Sequence, residues 1–104
     1  MAVISPTTNP IVNNEEAATI LRGHLLTYRR RSYSELVALL GTPQVTKADG
    51  PSGAKYQLEV EVYWDDRPGG NGRVLGAIDD GGRRTFKPLT HDFILAPNGA
   101  FVGE

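Results

Sequence analysis

The alternation of apolar and polar residues along Lys55–Asp66 is the clearest pattern in the chain. In the stretch KYQLEVEVYWDD, the even-numbered positions from Tyr56 to Trp64 are apolar, and the odd-numbered positions are polar except for Tyr63. Successive side chains of a β-strand point to opposite faces of its sheet. The pattern therefore predicts a strand with one buried face and one solvent-facing face.

A first helix is predicted over residues 14–30, ahead of this strand. Apolar residues from Ala17 to Tyr28 recur at spacings of three and four, which places them on one helical face. Asn13 and Glu16 have the spacing of an N-terminal capping pair. The arginines at 29–31 follow at the predicted C-terminal end, where cations face the negative end of the helix dipole.

A second, shorter helix is predicted to begin with the Ser-x-x-Glu capping pattern at 32–35. Leucines and a valine at 36–40 supply its buried side. Gly41 suits the left-handed position that ends a helix, and Pro43 prevents the helix from continuing. The chain is therefore expected to leave the helical layer by residue 43.

Turn-forming residues divide the remainder of the chain. The segment Gln44–Ala54 is predicted to be a surface loop, because it contains a cluster of aspartate, glycine, proline and serine. A glycine-rich reversal at 67–72 leads into a predicted second strand at 73–79, and a third strand is predicted at 85–89. A short hairpin is predicted around Pro97-Asn98-Gly99.

These elements predict an α+β fold in which two N-terminal helices pack on one face of an antiparallel meander sheet of three to five strands. Residues 1–12 are expected to form a flexible arm, and residues 13–104 a single domain. Matching the apolar faces suggests a register that pairs Val60 with Ile78, Trp64 with Val74, and Ile78 with Phe86. A curved, cone-shaped sheet of the NTF2-like kind is the alternative architecture.

Composition narrows the functional classes. The chain has 104 residues, 39% of them hydrophobic, and a formal net charge of −1, which does not favour broad capture of nucleic acid. It contains no cysteine, so disulfides and cysteine-ligated metal sites are excluded. No apolar run approaches the length of a membrane span, and no signal-peptide pattern is present at residue 1, so a cytoplasmic location is expected.

A polar cluster is predicted at one end of the sheet. Its members are Asp65, Asp66, Arg73, His91 and Asp92. Carboxylates beside an imidazole could bind a cation or act as a general acid and base. The spacing matches no metal-ligand signature, however, and aspartates next to glycine turns commonly cap loop amides and pair with arginines. No catalytic residue, metal or cofactor is therefore assigned.

Two apolar features are the other candidate sites. Tyr63 interrupts the polar face of the strand, and with Leu75 and Ala77 it would form an apolar island on the side of the sheet that the helices leave uncovered. This island is interpreted as a dimer interface or the wall of a pocket. A small-molecule pocket around Tyr56, Val62 and Trp64 is the second possibility.

Two stretches carry a resemblance to known proteins. SYSELVALLGTP, at 32–43, resembles the helical opening of small bacterial domains of the SmpA/OmlA kind. The ending DFILAPNGAFVGE is similar to small uncharacterised bacterial proteins carried on mobile gene cassettes. The second resemblance implies an accessory or partner-binding role and no defined activity.

A non-enzymatic binding or protein-interaction module that works as a homodimer is therefore the leading hypothesis, because a small meander leaves an edge and a face to protect. The partner would be a second copy, with an unidentified protein or small molecule also possible. The alternatives are a small-molecule binder and a small hydrolase or isomerase with a cleft near Asp65, Asp66 and His91.

Overall fold

A computed structural model describes residues 14–80 and 88–104. The elements, in chain order, are α1 (Asn14–Arg29), α2 (Tyr33–Val37), β1 (Gln44–Asp49), β2 (Lys55–Trp64), β3 (Gly72–Asp79) and β4 (Leu89–Leu95). None of the helices within these ranges is long and apolar enough to cross a membrane. The predicted arm at 1–12 lies outside the described residues.

The four strands form one antiparallel sheet in the order β1-β2-β3-β4. The helices pack on one of its faces, α1 mainly over β3 and β4 and α2 over β2 and β3. The α+β class and the antiparallel meander are therefore confirmed. The sheet is open, and its described part does not have the closed, conical form of the alternative architecture.

Local capping chemistry explains why α2 begins at Tyr33. The Glu35 backbone N–H donates to the Ser32 hydroxyl at 3.1 Å, and the Ser32 N–H donates back to the Glu35 carboxylate at 2.8 Å. The regular helix ends at Val37, earlier than predicted, and a series of turns continues to Gly41. Gly41 has a φ of 75°, the left-handed conformation expected of a glycine at a helix end.

The prediction of a surface loop at Gln44–Ala54 was wrong for its first half. Residues 44–49 form β1, which pairs with β2 along its whole length. The sequence pattern did not indicate this strand because side chains on both of its faces are exposed, Val45 and Lys47 on one and Thr46 on the other. A strand without a buried face has no need of alternating apolar residues.

The register differs from the prediction by two residues, since Ile78 pairs with Leu58, and Val60 pairs with Gly76. A two-residue shift keeps each side chain on its predicted face, because the strand period is two. The predicted third strand lies mostly outside the described residues. Instead, β4 begins at Leu89 and pairs with β3, and the residue opposite Ile78 is Leu89, so the predicted pairing of Ile78 with Phe86 was wrong. Beyond it, Leu95 forms a bridge with Phe101 across the turn at 97–99.

The core lies between the helices and the even-numbered side of β2. At Gly76 of β3 the helix packs closely on the sheet, because Leu21 and Leu25 of α1 both occupy the space above its α-carbon. Among the described residues, fourteen apolar side chains are buried in this layer: Ala17, Leu21, Leu25, Tyr28, Leu36, Ala54, Tyr56, Leu58, Val60, Val62, Val74, Ile78, Phe93 and Leu95.

Substitution of Gly76 with alanine is expected to destabilise the fold. The new Cβ atom would lie 3.0 Å from a methyl group of Leu21 and 3.0 Å from one of Leu25, both fully buried. Overpacking of this kind costs about 1–3 kcal/mol. Urea unfolding measures the loss. Gly72→Ala, in the same strand and on the same face, is the control, since nothing lies within 4 Å of its added Cβ. Equal stability of the two variants would contradict this packing.

Candidate interaction surface

The odd-numbered residues of β1–β3, with the even-numbered residues of β4, point away from the helices and form what we call the open face of the sheet. The register of the strands defines this set. Its central members are Val45, Lys47, Gln57, Glu59, Glu61, Tyr63, Arg73, Leu75, Ala77, Thr90, Asp92 and Ile94.

Tyr63 is the most prominent aromatic side chain of the open face, with 41% of its surface exposed. Leu75 and Ala77 lie on the neighbouring strand and are half-buried. Leu75 is opposite Glu61, and Tyr63 is opposite Arg73. The three residues therefore lie on the side of the sheet away from the helices, with a charged residue opposite each of them on the paired strand.

The charged groups at the end of the open face are joined by ion pairs. The Arg73 guanidinium donates from Nε to the Asp65 carboxylate at 2.9 Å, its Nη2 lies 2.7 Å from the same carboxylate, and its Nη1 contacts Asp92. The pKa of Arg73 is raised, mainly because of its hydrogen bond to Asp65. These three residues of the predicted polar cluster are brought together as a network of ion pairs.

The other two members of that cluster lie elsewhere. The Asp66 carboxylate accepts hydrogen bonds from the backbone N–H groups of Arg67 at 2.7 Å and Asn71 at 2.8 Å. These hydrogen bonds lower the pKa of Asp66, and the bond from Arg67 has the largest effect. His91 is opposite Gly76, on the helical side of the sheet. No group of three metal-binding side chains is gathered within 14–80 or 88–104.

The residues of the predicted apolar pocket lie at different places along β2. Tyr56 and Val62 are core residues with 2% and 4% exposure, and Trp64 is half-buried at the end of β2. Tyr56 borders a cleft of about 360 Å³ at the β1–β2 hairpin, whereas Val62 borders a separate one of about 190 Å³ beside Pro43. Tyr56 and Val62 therefore fill the core, as alternate residues of a strand covered by helices do, and a small-molecule pocket around the three residues stays a prediction.

Negative charge dominates the middle of the open face. Glu59 and Glu61 have no ion-pair partner among the described residues, whereas Arg73 is already paired with two aspartates. The surface therefore combines an exposed aromatic ring with two free carboxylates.

No family model, curated protein or solved structure matches the chain.

Glu16 has a structural role that the sequence pattern did not indicate. Its carboxylate accepts hydrogen bonds from the Tyr56 hydroxyl at 2.7 Å and from the Ser52 backbone N–H at 3.0 Å and hydroxyl at 2.8 Å. The bond from Tyr56 is the main cause that lowers the pKa of Glu16. This contact joins the first turn of α1 to the β1–β2 hairpin.

Arg29 joins the other end of α1 to the last residues of the chain. Its guanidinium lies 4.9 Å from the ring centre of Phe93 and 4.7 Å from that of Phe101, and both of its terminal nitrogens contact the Glu104 carboxylate. The Arg29 guanidinium therefore makes cation–π contacts with two rings and a two-point ion pair with one carboxylate. A helix dipole alone, the reason predicted from the sequence, does not account for this arrangement.

Replacement of Arg29 with alanine is expected to lower the free energy of unfolding by about 1–3 kcal/mol, because it removes a cation shared by two aromatic rings. Arg30→Ala is the matched control, since Arg30 is the exposed next residue. Chemical denaturation of both variants measures the difference. An unfolding free energy of Arg29→Ala equal to that of Arg30→Ala would contradict the assigned contact.

Proposed function

We propose that the protein is a non-enzymatic interaction module that works as a homodimer and binds a partner protein on the open face. The observation that supports this most strongly is the one-sided coverage of the sheet. Helices bury the even-numbered side of β2, while Tyr63 on the other side has 41% of its surface exposed. Exposed aromatic residues on an otherwise polar surface are typical of binding sites.

The polar groups at the end of the sheet support a binding role better than a catalytic one. Asp65 and Asp92 are paired with Arg73, and Asp66 caps a turn. A general base needs a lone pair that is free to take a proton from the substrate. His91 lies on the other side of the sheet from Asp92, so the two groups do not form an acid–base pair on one surface.

The chemistry of the open face indicates the kind of partner. Glu59 and Glu61 carry negative charge beside the Tyr63 ring, so the complementary surface would carry lysine or arginine next to apolar groups. The same two carboxylates disfavour stacking of two open faces against each other, because like charges would meet. We therefore assign the open face to a different protein and the self-association to another surface.

The exposure of β1 at the edge of the sheet supports self-association. It is an edge strand of the sheet, and Val45, Thr46 and Lys47 are exposed on its two faces. An exposed edge strand presents a row of unpaired backbone groups that can pair with another chain. A second copy would supply that pairing, since closed two-fold dimers are the commonest assemblies.

Two measurements on the purified chain test this function. Sedimentation equilibrium is expected to give a mass of twice 11.3 kDa, falling towards 11.3 kDa on dilution. A synthetic library of basic peptides with aromatic or aliphatic residues is expected to yield binders whose affinity falls as salt is raised. Tyr63→Ser is expected to weaken those binders by at least about tenfold and to leave the dimer intact.

Leu26→Ser is the matched control, because Leu26 is also an exposed apolar residue, with 52% exposure, but lies on α1. It should leave peptide binding unchanged. A strict monomer at high concentration would contradict the homodimer. Peptide binders that are as sensitive to Leu26→Ser as to Tyr63→Ser would contradict the assignment of the open face.

A further inference from the structure

We propose that two copies of the chain associate by pairing their β1 strands antiparallel, with Ala48 on the two-fold axis and Lys47 of each copy opposite Asp49 of the other. This inference rests on the homodimer of the proposed function and adds the surface and the register. It would join two sheets of four strands into one continuous sheet.

The outer edge of β1 is available for pairing. The sheet order places β2 on one side of this strand and no described strand on the other. Thr46 on the helical side and Lys47 on the open face are both exposed, whereas Ala48 is half-buried against the core. Approach of another strand in the plane of the sheet therefore meets little steric resistance from this part of the chain.

The hairpin geometry shows which backbone groups face outward. The Gly50 N–H donates to the Ala54 carbonyl at 2.8 Å, so residues 50 and 54 form a hydrogen-bonded pair of the β1–β2 ladder. Hydrogen-bonded and non-hydrogen-bonded pairs alternate along an antiparallel ladder. The backbone N–H and C=O groups of Lys47 and Asp49 therefore point to the outer edge of the sheet.

Several antiparallel registers would bring the outward-facing backbone groups of two β1 strands opposite one another, and the charges of the side chains favour one of them. Centring the pair on Ala48 places Lys47 opposite Asp49 of the second copy, twice by symmetry, with backbone hydrogen bonds between the same residues. Asp49 also accepts a hydrogen bond from Lys55 of its own copy at 2.9 Å, so each carboxylate would lie between two lysines. Centring it on Lys47 places two lysines opposite each other, which is destabilising. Centring it on Thr46 places Lys47 opposite Val45 and forms no ion pair. The Ala48 register therefore has the best charge complementarity.

This arrangement leaves the open face free. A two-fold axis perpendicular to the sheet keeps both helical layers on one side and both open faces on the other. The two copies of Tyr63 then lie on the same side of the continuous sheet. A dimer of this kind would present two partner-binding surfaces in the same direction, which favours partners with repeated basic segments.

A charge-swap experiment tests the pairing. Lys47→Asp and Asp49→Lys are each expected to raise the dimer dissociation constant at least about tenfold, because two attractive pairs become repulsive. An equimolar mixture of the two variants is expected to recover dimerisation, since each Lys-Asp pair is restored across the interface. Arg30→Asp makes the same change of charge at an exposed position just after α1, far from β1 in the fold, and is expected to leave dimerisation unchanged.

Single cysteines test the register, and the chain has none of its own. Ala48→Cys is expected to form a disulfide-linked dimer under mild oxidation, because residues on the axis form a close, non-hydrogen-bonded pair. Cross-linking of Thr46→Cys in its place would overturn the register. A dimer that both charge-swap variants retain would overturn the β1 pairing and leave the homodimer standing. A monomeric wild-type chain would overturn both.

Discussion

The packing of α1 across Gly76 is the contact on which the arrangement of the molecule depends. Leu21 and Leu25 occupy the space that a side chain at this position would fill, and this brings the helix close to the centre of the sheet. The contact places the apolar stripe of α1 over β3 and β4. Glu16 and Arg29 then fix the two ends of the same helix, one to the β1–β2 hairpin and the other to residues 93–104.

One-sided coverage of the sheet follows from the size of the helical layer. α1 has 16 residues and α2 only five, and both pack on the same face. The described helices therefore leave the second face and the β1 edge uncovered. The same limitation that keeps the core small leaves an acidic, aromatic surface and a free strand edge, which together are the features expected of an interaction module.

Much of the fold followed from local patterns in the sequence. The alternation in β2 predicted its buried and exposed faces, and the Ser32–Glu35 capping box predicted the start of α2, because both depend on residues near one another in the chain. The β1 strand was missed because an uncovered strand has no apolar alternation. The Arg29 contact was missed because its partners lie some 64 to 75 positions farther along the chain, beyond the reach of any local pattern. Of the predicted polar cluster, the register brought Asp65, Arg73 and Asp92 together and placed His91 on the other side.

The central claim is that one face of the sheet is core and the other stays open in the assembled protein. Tyr56 and Tyr63 lie on the same strand and test it directly, because their side chains point to opposite faces. Hydroxyl-radical footprinting of the native protein in solution compares the rates at which the two rings are oxidised. The account predicts that Tyr63 reacts at least about tenfold faster than Tyr56, given exposures of 41% and 2%. Equal protection of the two rings would contradict an open face.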